Sequence, residues 1–173
     1  MTTRRGRYGG RFVTGEPDGG TGRDALLQRV RSDAARIEQA LAFRAAVDGL
    51  AARLAATHRD GDGLAAIAAA AEAVAHAPDD AAFMAADTAF HLELARAGAN
   101  AFVLAGVEDA RLALNDAFAA LPESRRWHER SLAEHAALVA AIEAGDADGA
   151  EAAARLHVAS TERGVRSLLR ALA

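Results

Sequence analysis

The sequence contains no cysteine and no lysine, and only 5% of its residues are aromatic. Without cysteine the chain can have no disulfide, no thiolate nucleophile and no cysteine-ligated zinc site. The net charge of −4 gives the chain as a whole no electrostatic basis for binding nucleic acid. No apolar run approaches the ~20 residues of a membrane span, and no apolar segment follows the arginine-rich N-terminus, as a secretory signal requires. We expect a cytoplasmic protein.

Composition divides the chain of 173 residues into two parts. Residues 1–23 are rich in glycine and arginine, which argues against helix and predicts a flexible segment. From residue 24 onward alanine dominates, and alanine is the strongest helix former. We therefore predict a helical domain over residues 24–173, whose length suits one ordinary domain with a real core.

Hydrophobic periodicity and stop signals predict successive helices in residues 24–173. The first segment spans 24–58, with a break near Ser32–Asp33, where a new helix could be capped. The other segments span about 63–76, 80–98, 100–120, 126–143 and 147–172. Asn100 is expected to cap the helix over 100–120. Short loops between such helices predict an all-α fold, an antiparallel bundle of six to seven helices.

Four polar side chains lie on helix faces that should be buried. Asp87 and His91 are four positions apart and share one face. His135 and His157 lie among apolar residues of two later helices. Three helices could thus direct four ligands at one divalent metal ion (Zn²⁺, Ni²⁺, Mn²⁺ or Fe²⁺, with Zn²⁺ favoured). Spacing alone favours ordinary core histidines over a metal site, because D-x-x-x-H on a helix is a weak pattern.

The remaining histidines serve as a comparison. His58, His76 and His128 are expected at helix ends or in loops, where a solvated side chain is the ordinary outcome.

Residues 87–100 carry a motif that resembles a known family. Asp87, Phe90, His91, Leu94 and Asn100 resemble the D-x-x-F-H-x-x-L-x-x-A-x-x-N signature of the FCD domain. This is the ligand-binding domain of the FadR subfamily of GntR bacterial transcription regulators.

The resemblance continues downstream and covers roughly residues 36–170. Further matches lie at Glu134–His135, Ala141–Ile142, Gly145–Asp146, Ala150 and His157. The candidate metal ligands all occur in the family's order.

The resemblance implies a bundle of six or seven helices, a metal held by one Asp and three His, and an effector pocket beside it. Effectors of the family are commonly small organic acids whose carboxylate reaches the metal, and members are usually homodimers. Arg44 and Asp48 match an R-x-x-x-E pattern that points into the family's pocket, with Asp in place of Glu. Arg44 is therefore the predicted carboxylate clamp, and Arg111 is a second candidate. An Arg44 solvated on the surface is the alternative.

The N-terminus departs from the family, whose regulators carry a winged helix-turn-helix before this domain. Residues 5–13 resemble only the glycine-rich wing and final strand of that module, followed by a linker over 14–23. A wing can contact phosphates but cannot specify bases, so DNA would be read only through a module largely absent here. A disordered arginine tail, a fragment, a misassigned start and a regulator without its reader all remain open.

Three functions are compatible with the sequence. The first is an effector-sensing, dimerising domain that binds an organic acid at the metal and controls DNA binding allosterically. The second is a metalloenzyme acting on a small carboxylate or ester. It is disfavoured because Glu93 and Glu134, the nearest candidate bases, should point away from the ligands. The third is a dimerisation domain with a purely structural metal.

Overall fold

Seven helices make up most of the chain in the computed structural model, which describes residues 3–5, 11–13, 21–58, 60–122 and 124–173. The predicted all-α bundle is confirmed. The helices are α1 (Thr21–Ser32), α2 (Ala34–His58), α3 (Gly61–Ala75), α4 (Asp80–Ala97), α5 (Ala101–Ala119), α6 (Arg125–Ala144) and α7 (Ala147–Leu172).

Short polar side chains set the starts of the later helices. The carboxylate or amide oxygens of Asp60, Asp79, Asn100 and Asp146 accept hydrogen bonds from backbone N–H groups of the first turn. Asn100 therefore has the capping role expected of it. The predicted break near Ser32–Asp33 is also confirmed, since α1 ends at Ser32 and α2 begins at Ala34.

Gly145 ends α6 in the left-handed conformation, with φ 72° and ψ 19°. A Cβ is strained there, so Gly145→Ala is expected to lower the free energy of unfolding by about 1 kcal/mol. Gly61→Ala is the matched control, because a Cβ at Gly61 meets no atom within 4 Å and alanine favours helix. Urea denaturation of both variants would contradict this account if Gly145→Ala were the more stable of the two.

Helix α2 lies at the centre of the bundle and packs against α4, α5, α6 and α7. Small side chains such as Ala51, Ala52, Ala55 and Ala56 are buried along it and allow its neighbours to approach closely. The same helix buries two charged residues, Arg44 and Asp48. Because buried charges need partners, α2 marks where the polar interior of the bundle lies.

Two short strands lie near the N-terminus. Strands β1 (Thr3–Arg5) and β2 (Arg11–Val13) pair antiparallel, with Thr3 opposite Val13. A strand is thus found where the end of a wing was predicted, while the glycines expected to form its turn lie outside the described residues. The linker prediction extends too far, because α1 already begins at Thr21. A glycine such as Gly22 is tolerated in a first helical turn.

Within the described ranges, no helix combines the length and apolar character needed to cross a membrane.

Candidate metal centre

The four predicted ligands meet at one point inside the bundle. Helix α4 supplies Asp87 and His91, α6 supplies His135, and α7 supplies His157. All four side chains are buried, and one ligand atom from each lies within 4.8 Å of all the others. The structure therefore assembles the constellation predicted from the sequence, and this group could hold a metal ion.

The spacing of the donor atoms suits a divalent ion. Nε2 of His157 lies 3.1 Å from Nε2 of His91 and 3.4 Å from Nε2 of His135. Oδ1 of Asp87 lies 3.3 Å from Nε2 of His135 and 3.9 Å from Nε2 of His91. A tetrahedral ion with bonds of about 2.0 Å would separate its ligand atoms by about 3.3 Å. The donor set needs little rearrangement to accept such an ion.

Two carboxylates orient the imidazole rings from behind. Nδ1 of His157 donates to Oε2 of Glu134 at 3.0 Å, and Nδ1 of His91 lies 3.4 Å from Oδ2 of Asp48. Such partners hold the Nδ1 proton and leave Nε2 as the unprotonated ligand atom. The prediction that Glu134 points away from the candidate ligands is wrong. Its side chain faces α7 and contacts His157, on the Nδ1 side of the ring.

This arrangement brings unprotonated nitrogens together. With both Nδ1 atoms protonated, the lone pairs of His91 Nε2 and His157 Nε2 face each other across 3.1 Å. Two acceptors at that distance repel unless a donor or cation lies between them. The guanidinium of Arg44 gives partial relief, because its Nη2 lies 3.4 Å from His91 Nε2. A metal ion would relieve the repulsion fully, so the residues fit the group.

The charge states also suit metal binding. Burial, followed by the charge of Arg111, lowers the pKa of His91 well below its ordinary value. Burial also lowers the pKa of His157, against the hydrogen bond that His157 donates to Glu134, which raises it. For Asp87, burial alone would raise the pKa, but Arg111 and His135 outweigh it and hold the pKa well below its usual range. Neutral imidazoles and an ionised carboxylate are the forms that coordinate metals.

Arg111 of α5 anchors the Asp87 carboxylate. Its Nη2 donates both to the Asp87 backbone oxygen, at 2.7 Å, and to Oδ2 of the Asp87 side chain. The Oδ1 atom is thereby left for the histidine cluster. Arg111 was predicted as an effector contact. In the structure it contacts Asp87, a candidate metal ligand, and its own Nε is buried and has no partner among the described residues.

Arg44 is buried, with 1% of its surface exposed, so the alternative of a solvated arginine is wrong. Its Nε donates to Oδ2 of Asp48 at 2.9 Å. The guanidinium carbon lies 5.3 Å from the centre of the Phe118 ring, and that of Arg111 lies 5.7 Å from the same ring. One aromatic ring thus lies within cation–π distance of both guanidiniums.

Unsatisfied polar atoms concentrate around this centre. Buried N and O atoms are usually hydrogen-bonded, so each exception needs an explanation. In the part of the chain that the structure describes, the buried side-chain atoms without a partner are Arg44 Nη1, Asp48 Oδ1, Arg111 Nε, Ser131 Oγ and His135 Nδ1. All of them belong to a ligand, to a residue that contacts a ligand, or, for Ser131, to the helical turn before His135.

A cavity of about 910 Å³ lies beside the centre, between α4, α5 and α6. Its lining includes Arg23, Asp80, Met84, Thr88, Asn115, Phe118, Leu121, Trp127 and His128. Phe118 lies between the two regions, because its ring contacts both guanidiniums and also lines the cavity. The four candidate ligands, Arg44 and Arg111 are not among its lining residues, so Phe118 separates the cavity from the centre.

The three histidines outside the candidate metal site differ in their exposure. His58 and His76 are exposed at the ends of α2 and α3, as expected. His128 lies within α6 and stacks on Phe83 with ring centres 4.0 Å apart, so the prediction of a solvated side chain is wrong there. The sequence reasoning also missed Phe118. Its spacing of seven from Arg111 places both residues on one face of α5, but the contact with Arg44 depends on how α2 packs on α5.

Comparison with known proteins supports this fold. The family model described as the FCD domain matches residues 24–160. A solved structure described as a transcriptional regulator (GntR family member) from Pseudomonas syringae pv. tomato str. DC3000 is similar, with 20% identity and a TM-score of 0.58. The match covers 98% of this chain and 64% of that chain. No curated protein matches. The family model covers most of the chain, and the chain therefore belongs to the FCD domain family.

Proposed function

We propose that this chain is the effector-sensing domain of a GntR-type transcriptional regulator, and that it binds a small organic acid beside one divalent metal ion, Zn²⁺ being favoured. Asp87, His91, His135 and His157 would hold the ion, whose positive charge would attract and orient an acid. Arg44 and Arg111 would bind the carboxylate. In the whole regulator, such binding would shift the helices and control DNA binding through a winged helix-turn-helix module.

The concentration of unpartnered buried atoms carries this proposal. In a purely structural metal site, the buried polar atoms around the ion would all have hydrogen-bond partners once the ion was bound. Here Arg44 Nη1 and Arg111 Nε take no part in the ion pairs that these arginines form with Asp48 and Asp87. Both are buried N–H donors without an acceptor among the described residues. Two buried guanidiniums with spare N–H groups fit a carboxylate, which accepts hydrogen bonds at both oxygens.

Two contacts disfavour the metalloenzyme. Glu93 accepts a hydrogen bond from Arg96 at 2.6 Å on the surface. Glu134 is held by His157 on the side of the ring away from Nε2. A general base must reach the proton that it abstracts, and both of these carboxylates are engaged elsewhere. The proposed centre is therefore a receptor and not a catalyst.

The family also suggests a homodimer. Helices α2 and α5 pack together and expose large apolar side chains, namely Phe43, Leu50, Phe102 and Leu112. Exposed apolar surface of this kind is typical of protein interfaces. These exposed side chains support a proposed dimer of the domain.

Binding of carboxylates to the Zn²⁺-loaded chain tests the sensing proposal. Propionate, lactate, succinate and malate are titrated while the melting temperature is followed. We expect at least one acid to raise it, because ligands that bind only the folded state stabilise it. Arg44→Gln should abolish the rise, since the buried N–H groups are lost.

Arg36→Gln is the matched control, because Arg36 lies on the same helix but is exposed. Its response should equal that of the unchanged chain. The proposal is contradicted if no acid shifts the melting temperature of the Zn²⁺-loaded protein.

A further inference from the structure

The cavity between α4, α5 and α6 is separate from the acid and metal site proposed above. We propose that this cavity is a second ligand site and that it takes an uncharged aromatic molecule. The site binds its ligand without a metal ion, so it stands or falls independently of the acid-sensing proposal.

The cavity has enough space of its own for a ligand with more than one ring. Its volume is about 910 Å³, and small-molecule sites in proteins commonly measure about 300–1,000 Å³. None of the four candidate metal ligands lines it, and the ring of Phe118 stands between the cavity and the metal centre. An ion at the metal centre would therefore leave this space unfilled.

Aromatic and thioether side chains form apolar walls on three helices. Met84 contributes from α4, Phe118 from α5 and Trp127 from α6. Met84 and Trp127 are only partly buried by the rest of the chain, so part of their apolar surface is open to a ligand. Aromatic rings attract one another in offset and edge-to-face arrangements, and a methionine sulfur packs favourably against a ring edge. These walls therefore favour an aromatic ligand over an aliphatic one.

The charged groups in the lining already have partners. Nη2 of Arg23 donates to the backbone oxygen of Ala120 at 3.5 Å, and Oδ1 of Asp80 lies 3.5 Å from Nε2 of His128. With His128 neutral, the charges of Arg23 and Asp80 cancel and the lining carries no net charge. A charged ligand would lose its hydration here without gaining an ion partner of its own, which is unfavourable. The cavity therefore favours an uncharged ligand.

Two neutral polar side chains, Thr88 of α4 and Asn115 of α5, also line the cavity. A hydroxyl group and an amide can each donate and accept hydrogen bonds. A few polar groups of this kind orient the ligand in an otherwise apolar site. A neutral polar substituent on the ring system would match them, so the chemical class that follows is an aromatic alcohol, a phenol or an uncharged aryl amine.

A pair of fluorescent probes tests the assignment of charge. N-phenyl-1-naphthylamine is an uncharged aryl amine whose emission rises in apolar surroundings, and 8-anilino-1-naphthalenesulfonate carries the same ring system with one sulfonate. In the metal-free chain we expect the uncharged probe to bind about 10-fold or more tightly than the sulfonate. Zn²⁺ should change its affinity by less than about 3-fold, because the probe and the ion would share no contact.

Phenylalanine substitutions that fill the cavity test its location. Ala85 of α4 and Ala119 of α5 line the cavity from opposite walls and are both exposed, so a larger side chain enters the space without disturbing the core. Ala85→Phe and Ala119→Phe should each weaken binding of the uncharged probe about 10-fold or more. Ala89→Phe is the matched control, because Ala89 is exposed one turn further along α4 and does not line the cavity. Its affinity should equal that of the unchanged chain.

Displacement of the bound probe tests the preference for aromatic rings. Benzyl alcohol and cyclohexanol partition similarly between water and octanol, so a difference between them reports contacts with the ring. Benzyl alcohol should displace the probe at a concentration lower by roughly 3-fold or more, as one favourable aromatic pair provides.

Each of these measurements can overturn the proposal. If the uncharged probe does not bind, or binds Ala85→Phe and Ala119→Phe as tightly as Ala89→Phe, the cavity is not its site. Binding that requires Zn²⁺ assigns the ligand to the metal centre instead. Tighter binding of the sulfonate refutes the uncharged class, and equal displacement by the two alcohols refutes the aromatic one.

Discussion

An Arg111→Met variant without metal is expected to lose about 3–5 kcal/mol of stability, because the Asp87 carboxylate is left buried without its partner. For a domain of this size the loss corresponds to a melting temperature lower by roughly 10 °C. Methionine fills much of the same space, so the effect reports the charge and not a cavity. Added Zn²⁺ should restore part of the loss, since the ion would compensate Asp87. Thermal denaturation with and without Zn²⁺ measures both effects.

Arg29→Met is the matched control for this prediction. Arg29 also pairs with an aspartate on α5, as its Nε donates to Asp116 at 2.7 Å, but both side chains are largely exposed. Exposed ion pairs contribute little to stability. Equal melting temperatures for Arg111→Met and Arg29→Met would show that the Asp87 contact does not stabilise the bundle.

Replacing His135 with alanine should weaken Zn²⁺ binding on the order of 100-fold or more, as one of four strong ligands is lost. His135 is the most informative ligand to remove. Its Nδ1 has no partner among the described residues, and Asp87, which lies 3.3 Å from its Nε2, keeps the hydrogen bond from Arg111 when His135 is removed. Removing His91 would instead cost Asp48 one of its two contacts, and removing His157 would cost Glu134 its contact with α7. Competition with a chromophoric chelator measures the affinity.

His76→Ala provides the comparison for His135→Ala. His76 is an exposed histidine at the end of α3, and its loss should leave Zn²⁺ affinity unchanged. Circular dichroism confirms that both variants retain their helices. If His135→Ala binds Zn²⁺ as tightly as His76→Ala, the four residues do not form the metal site.

Sequence periodicity predicted the helices well because each helix carries local signals. Asp79, Asn100 and Asp146 are short polar residues placed directly before helical segments and cap those helices, Asn100 as expected. The start of α1 was missed because a high glycine content argues against helix on average, whereas the first turn tolerates it. Local signals therefore determine helix ends to within a few residues.

The meeting of the four candidate metal ligands could be predicted from the sequence, but the residues around them could not. Asp87 and His91 share a turn of α4, and the family motif orders His135 and His157 after them. The contact between Glu134 and His157 depends on how α6 packs on α7, which no spacing within α6 reveals. The same holds for the contact of Phe118 on α5 with the Arg44 guanidinium of α2. To predict a contact between two helices, one must know how each helix is rotated about its axis. Sequence periodicity gives only the average direction of the apolar face.

The distance along the chain between the ligands has a consequence for folding. His91 and His157 are 66 positions apart, and His135 lies between them on a different helix. In an unfolded chain only Asp87 and His91 are close enough to act together, so a metal ion would find two weak ligands there and four in the native bundle. A metal held at this centre would therefore bind the native state selectively and increase its population. The supply of such a metal would then set the folded fraction of the chain, and with it the amount of the domain available for the proposed function.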